Sequence, residues 1–227
     1  MGRAGKSMSK RKIIFCDFDG TITEKDNIID IMKNFAPRGW EYTKDQILNQ
    51  EISIREGVGK LFSLIPSNKK NEIADYVLST AKLREGFKDF VAYTKENNIP
   101  LYIVSGGIDF FVYPMLNGII NKEQIYCNGS SFQGEKIQIL WPHSCDSGCN
   151  NDCGCCKPTI LRGFDSSSYE KIVVGDSITD LQAAKIADKV FARDYLIEKC
   201  KEHHIPFIPF STFYEIIEFL EKKEVTI

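Results

Sequence analysis

The chain has 227 residues, of which 43% are hydrophobic and 26% charged, with a formal net charge of −2. That length suits one large domain or a domain carrying a sizeable insertion, and the composition is ordinary for a soluble globular protein. The near-neutral balance provides no basic field for nucleic acid or an anionic membrane surface. No apolar run reaches the roughly 20 residues that span a bilayer, so neither partner is expected.

Residues 1–12 are basic and lack the apolar centre of a secretory leader, so residues 1–11 are expected to form a flexible tail and the protein to be cytoplasmic. Gly5-Lys6-Ser7 lacks the first glycine and the preceding strand of a phosphate loop and is set aside. The run Ile13 to Phe15 reads as a short buried strand stopped by turn chemistry. From about residue 26 to residue 83 the pattern is helical. Ile28, Ile29, Ile31, Met32 and Phe35 make one apolar face that ends before Pro37, and three more helices are predicted over 40–50, 54–65 and 68–81. Ser53 and Ser67 are the expected N-caps of the last two. No strand pattern interrupts this stretch, so residues 26–83 read as a helical bundle inserted into a fold built from residues 1–25 and 84–227.

An α/β alternation then resumes. A helix is predicted over 85–97 and a buried strand over 100–104, ending in Ser105-Gly106-Gly107. A helix starts at residue 108, with Pro114 as its interruption. Residues 124–127 and 135–140 alternate apolar and polar side chains around a glycine turn and predict a β-excursion. A cysteine-rich loop runs to Cys156, and a helix begins at Lys157. A strand over 171–175 leads into Asp176-Ser177-Ile178-Thr179-Asp180 and a helix to 187. A short strand over 190–192, helices over 194–203 and 212–221, and a last strand at 207–208 between them complete the pattern. Strands alternating with helices imply a Rossmann-like parallel sheet with right-handed crossovers.

The most informative segment is Asp17-Phe18-Asp19-Gly20-Thr21, directly after the first strand. Carboxylates at i and i+2 of an extended chain point the same way, past the sheet edge where parallel α/β sheets hold ligands. Adjacent carboxylates repel unless a cation or a shared proton intervenes, and Mg²⁺ prefers oxygen ligands and a substrate phosphate. Asp17 is therefore the candidate nucleophile and Asp19 the general acid and base. Ser105 and the backbone N–H groups of Gly106 and Gly107 would bind phosphoryl oxygens, and Lys157 would add a point charge. Asp176 would complete the Mg²⁺ site with Asp17 and the backbone carbonyl of Asp19, and Asp180 would orient Lys157 or hold a metal-bound water. Taken singly, each has an ordinary structural role as turn serine, surface lysine, helix cap or helix charge. Only the joint order raises them above it.

That order resembles the haloacid dehalogenase (HAD) superfamily. Asp17 to Thr21 is similar to its first motif, Ser105 to its second, Lys157 to its third and Gly175 to Asp180 to its fourth. The resemblance runs through nearly the whole chain from residue 12. It implies a HAD core with a C1-type cap at residues 26–83, Mg²⁺ as cofactor, and an aspartyl-phosphate mechanism on a small-molecule phosphate ester. Acids at both Asp17 and Asp19 are similar to the phosphatases and phosphomutases of the family rather than its dehalogenases. Residues 26–37, 105–114 and 141–145 further resemble one member that hydrolyses an enolic phosphate to an acireductone in methionine salvage. A phosphoserine phosphatase-like enzyme is the nearest alternative, and a zinc-stabilised interaction protein on an inactive scaffold the most distant. The sequence does not set the oligomeric state.

Cys145, Cys149, Cys153, Cys155 and Cys156 follow His143 closely. Six such groups in so short a loop suit a tetrahedral Zn²⁺ or free thiols, and the spacing matches no common finger or ribbon, so both stay open. His143 could be a zinc ligand, a substrate contact or a loop residue. Met32, Phe35, Trp40, Phe62 and Leu64 suit either an apolar substrate pocket or the core of the helical insert. Arg55, Glu56 and Lys60 are candidate polar contacts or a solvated helix face.

Overall fold

The computed structural model describes residues 10–224. The expected tail lies outside the described residues as far as residue 9, and Arg11 already belongs to the first strand, β1 (Arg11–Cys16). Its alternating side chains enter two different cores. Ile14 and Cys16 pack on one face of the sheet, and Ile13 and Phe15 on the other. A strand covered on both faces must be apolar at every position, which is why this stretch reads as a continuous run.

β2 (Leu101–Ile108) and β5 (Tyr169–Gly175) flank β1, both parallel to it. With β3 (Ile125–Ser131), β4 (Gln138–Leu140), β6 (Lys189–Ala192) and β7 (Ile208–Pro209), the order among the described residues is β4-β3-β2-β1-β5-β6-β7. The chain builds outward from β1 through β2 and β3, then returns to build the other half from β5. Such a reversal opens a crevice at the carboxyl ends of the two central strands, here β1 and β5. The β-excursion is corrected in one respect: β3 joins the main sheet parallel to β2, and only β4 pairs antiparallel to it. Of residues 124–127, Gln124 ends a 3₁₀ turn and 125–127 supply just the first part of a longer strand, whose polar end, Asn128 to Ser131, hides the apolar signal.

Between β1 and β2 lie α1 (Asn27–Phe35), α2 (Trp40–Leu48), α3 (Ile54–Ser63) and α4 (Lys70–Thr80). Ser53 caps α3 by accepting from the Glu56 N–H at 3.0 Å, and Asp26 caps α1 by accepting from the Ile29 N–H at 3.0 Å. Such caps each contribute about 1 kcal/mol. Ser67 does not cap α4. It opens a single 3₁₀ turn (Ser67–Lys69), and its buried Oγ has no hydrogen-bond partner among the described residues. The chain leaves and re-enters the sheet domain through one neck, where Thr23 and Leu83 form an antiparallel bridge and the Arg84 N–H donates to the Ile22 carbonyl at 2.7 Å.

The remaining helices are α5 (Phe87–Glu96), α6 (Asp109–Leu116), α7 (Lys157–Arg162), α8 (Leu181–Ala184), α9 (Asp194–Glu202) and α10 (Phe213–Glu224). Helix α6 carries Pro114 and stops two residues after it, at Leu116. Among the described residues no helix is long and apolar enough to cross a membrane.

Candidate active site

Asp17 and Asp176 are the residues that follow adjacent strands, β1 and β5, so the sheet itself sets them side by side. The Asp17 N–H still donates to the Val174 carbonyl at 2.9 Å, which fixes its backbone to the ladder. Lys157, the first residue of α7, is buried and donates from Nζ to Asp17 Oδ1 at 2.6 Å and to Asp180 Oδ1 at 2.5 Å. The other Asp180 oxygen accepts from the N–H groups of Asp176 and Ser177, both at 3.1 Å. Asp180 thus closes the loop after β5 and aims the ammonium at Asp17. A side chain at Gly175 would strike the Asp180 carboxylate, so glycine is required there.

Asp17, Asp176 and Asp180 each offer an oxygen within 4.8 Å of the others. Three carboxylates around one buried cation leave net negative charge. Burial raises the Asp17 carboxyl, Lys157 opposes this and Asp180 adds to it, leaving Asp17 at about 6. Burial followed by repulsion from Asp17 and Asp180 lifts Asp176 to about 9, against a hydrogen bond from Thr21 Oγ1 to Asp176 Oδ1 at 2.8 Å. Burial lowers Lys157 less than its two aspartates raise it, so it stays charged. An oxygen-only donor set carrying excess negative charge fits a hard divalent cation.

Asp19 is held differently. Its Oδ1 accepts from Asn27 Nδ2 at 2.6 Å and from the Asn27 N–H at 3.1 Å, and among the described residues no ion pair is made to it. Burial, then Asp26 and Asp17, raise its carboxyl well above the usual carboxylate range. Its other oxygen sits so near Gly107 that a Cβ there would approach Oδ2 to 2.7 Å. Gly106 meets no such contact and lines the cavity. Ser105 is fully buried, and its Oγ accepts from the Gly107 N–H at 2.8 Å, at the register shift in β2 between Val104 and Ile108.

Asp17, Asp19, Asp176 and Gly106 form the floor of a cavity of about 200 Å³. Its roof comes from the helical insert, with Ile28, Ile29, Ile47, Ile54, Val58 and Leu61 lining it together with the charged Lys44 and Asp26. The roof is therefore not made by the residues singled out from sequence. Met32, Phe62 and Trp40 are buried in the large core that the helical stretch shares with the sheet, where Phe62 packs edge-on against Phe110 of α6. Arg55 pairs with Asp152 at 3.5 Å, and Lys60 with Glu56 at 2.6 Å.

The family model for haloacid dehalogenase-like hydrolases matches residues 14–185. The chain belongs to that family. It is 61% identical over 218 residues to the 2-hydroxy-3-keto-5-methylthiopentenyl-1-phosphate phosphatase of Geobacillus thermodenitrificans strain NG80-2, covering 96% of this chain and 99% of that one. The protein of the same name from Bacillus cereus strain B4264 is 57% identical over 203 residues, covering 89% and 93%. Among solved structures, a phosphoserine phosphohydrolase-like protein from Francisella tularensis has a TM-score of 0.67 at 21% identity, covering 92% of this chain and 99% of that one. That likeness concerns the fold.

Three residues of this HAD site carried no role in the sequence reading. Asn27 holds Asp19. Thr21 lies inside the first motif and holds Asp176. Arg84, just past the insert, donates from Nε to the Thr21 carbonyl at 2.7 Å and from Nη2 to the Gly20 carbonyl at 2.8 Å. Arg84 thus pins the turn that carries Gly20, whose φ of +81° suits glycine and whose Cα faces Asp176. The only signal for Arg84 was its place at the return of the chain.

Of the six groups in the cysteine-rich loop, the fold brings four together. The sulfurs of Cys145, Cys149, Cys153 and Cys156 lie within 4.8 Å of one another. Cys155 points instead into the core with Ile13 and Phe15, and His143 packs edge-on against Tyr126 with ring centroids 5.1 Å apart. Neither joins the sulfur group.

Proposed function

We propose that the protein is a Mg²⁺-dependent phosphomonoester hydrolase that works through an aspartyl-phosphate on Asp17. Its proposed substrate is 2-hydroxy-3-keto-5-methylthiopentenyl-1-phosphate, the compound in the names of its Geobacillus and Bacillus relatives. The observation that carries the reading is the unequal treatment of two carboxylates on one cavity floor. Asp17 rests against the Lys157 cation, and Asp19 against a neutral amide. Unequal surroundings push their pKa values apart and divide their roles. At neutral pH Asp17 is ionised and suits in-line attack on phosphorus. Asp19, with its carboxyl raised, holds a proton to give to the leaving enolate oxygen. Asp19 then takes a proton from the water that hydrolyses the phosphoaspartate.

Asp17 and Asp176, with the Asp19 backbone carbonyl, would hold the cation, and Asp180 would support them from outside. Bound Mg²⁺ supplies the charge neutralisation that lets a phosphate dianion approach Asp17. Lys157, the Gly106 N–H and the Ser105 hydroxyl proton would bind the equatorial phosphoryl oxygens, with the Gly107 N–H orienting Ser105 Oγ. Residues 26–83 would act as the cap, excluding water and presenting an apolar roof to the methylthio end of the substrate.

A phosphoserine phosphatase is the second reading, favoured by the shared fold. The aliphatic lining from the insert favours the methylthio end, while Lys44 and Asp26, which also line the cavity, are the two charges a zwitterionic amino acid would need, so substrate preference decides between the readings. Phosphate release from a panel of phosphomonoesters, with Mg²⁺ and with EDTA, separates the two. Strong Mg²⁺-dependent preference for the enzymatically generated methylthiopentenyl ester is expected. Preference for phosphoserine would discard the named substrate, and no release from any ester would discard the hydrolase.

A further inference from the structure

We infer that Cys145, Cys149, Cys153 and Cys156 bind one structural Zn²⁺ through four thiolates, closing the 145–156 loop into a metal-fastened knuckle between the helical insert and α7. The Cys149 and Cys153 sulfurs lie 3.8 Å apart. That is far from the roughly 2.05 Å of a disulfide. It equals the edge of about 3.8 Å expected for a tetrahedron with Zn–S near 2.3 Å. The loop also orients N–H groups at sulfur, as thiolates require. The Cys153 N–H donates to Cys145 Sγ at 3.4 Å, and the Asn151 N–H hydrogen-bonds to Cys149.

The loop needs a fastening of this kind. Residues 145–156 contain no helix or strand, and half of them are exposed, so their own burial does little to offset the entropy of ordering them. Yet they are tied into their surroundings on both sides. Asp152 accepts from Ser53 Oγ at 2.6 Å and from the Arg55 N–H at 3.2 Å, at the start of α3. Asp146 accepts from Arg162 Nε at 2.9 Å on α7, and its N–H donates to Thr159 Oγ1 at 3.0 Å. A zinc tetrathiolate carries a net charge of −2. Arg162, placed by Asp146 where it interacts with Cys156 and Cys149, is a counter-charge beside it. Zinc binding would supply folding free energy to a segment that lacks its own core and would release thiol protons.

The test is elemental analysis of the full-length protein, purified without chelator or polyhistidine tag. One zinc per chain is expected, falling below about a tenth in Cys149→Ser/Cys153→Ser and staying near one in His143→Ala, since His143 is outside the sulfur group. Because the double variant could fail to fold, wild-type protein is also exchanged into Co²⁺. Tetrahedral thiolate coordination then gives intense visible d–d bands and near-ultraviolet sulfur-to-cobalt charge transfer. Hydrogen exchange at residues 145–158 should accelerate when the zinc is stripped. Metal-free wild-type protein with four freely titrating thiols, iron in place of zinc, an unchanged zinc content in the folded double variant, or cobalt bound without thiolate bands would overturn the assignment. None of these readouts involves turnover, so they stand or fall apart from the hydrolase proposal.

Discussion

The floor and the roof of the cavity are built on opposite rules. On the floor, each aspartate is held by directional bonds to partners that secondary structure places: Lys157 at Asp17, Asn27 at Asp19, Thr21 at Asp176, and two backbone N–H groups at Asp180. On the roof, Ile28, Ile29, Ile47, Ile54, Val58 and Leu61 offer mainly area and shape, with Lys44 and Asp26 as the charged groups beside them. The difference teaches where tolerance lies. A charge misplaced on the floor loses the reaction, whereas a methyl group lost from the roof changes only how well a ligand is held. Asp17→Asn is the strongest way to break this contrast. Turnover should fall at least about 10⁴-fold, as when a nucleophile is removed elsewhere. The melting temperature should hold or rise, because the change removes one of several crowded negative charges. Single-turnover phosphate release together with a thermal melt checks both, and substantial residual activity would rule out Asp17 as the nucleophile.

Asp19→Asn comes next. It keeps the size of the side chain but removes the proton to be donated, and about 10²- to 10⁴-fold in kcat should be lost. The loss should shrink for an aryl phosphate whose leaving group needs no protonation. Equal loss on both substrates would remove Asp19 from the role of general acid.

The floor was largely legible in the sequence and the roof was not, for physical reasons. Asp17, Asp19, Asp176 and Asp180 stand at fixed offsets from short apolar runs, and a parallel sheet converts those offsets into positions. The partners that fix them, Asn27 and Arg84, bond through geometry that only the closed neck of the insert creates, so no local pattern announces them. The same holds for the roof. The helical periodicity of residues 26–83 identifies apolar faces but not which face turns inward. Met32, Trp40 and Phe62, the larger side chains, went to the core shared with the sheet, and the medium-sized isoleucines went to the cavity. In the cysteine loop the residue types were legible, but only the fold separates Cys155, which faces the sheet core, from the four sulfurs that converge. Ser67 misled because a serine before a helical pattern usually caps it, whereas here a 3₁₀ turn intervenes.

Removing the proposed divalent cation sharpens the comparison through pH. Asp17 and Asp176 are raised from an ordinary value of 3.8 to about 6 and about 9 in the metal-free fold. A carboxyl raised on folding leaves the native state with more bound protons than the unfolded chain, so stability falls as pH rises. The fall begins above 3.8, the Asp17 share is complete by about 6 and the Asp176 share by about 9. Melts in EDTA should therefore decline by several degrees across this window, and saturating Mg²⁺ should flatten the decline by supplying the missing positive charge. Parallel curves with and without Mg²⁺ would show that these carboxylates do not hold the cation.

The smallest effect belongs to the roof. Ile54 is half-buried at the start of α3 and lines the cavity opposite the carboxylates. Ile54→Ala deletes three carbons. At about 0.8 kcal/mol per methylene fully withdrawn from water, and with only part of the side chain touching a ligand, about 1 kcal/mol of binding should be lost. KM should rise about 5-fold while kcat stays within about 2-fold, because the lost contact serves ground state and transition state alike. The selectivity should narrow in the same proportion, since a polar ester such as phosphoserine draws nothing from that contact and should keep its own KM. A matching fall in kcat would mean instead that the roof positions the phosphoryl group, and the division of labour between the two halves of the cavity would have to be redrawn.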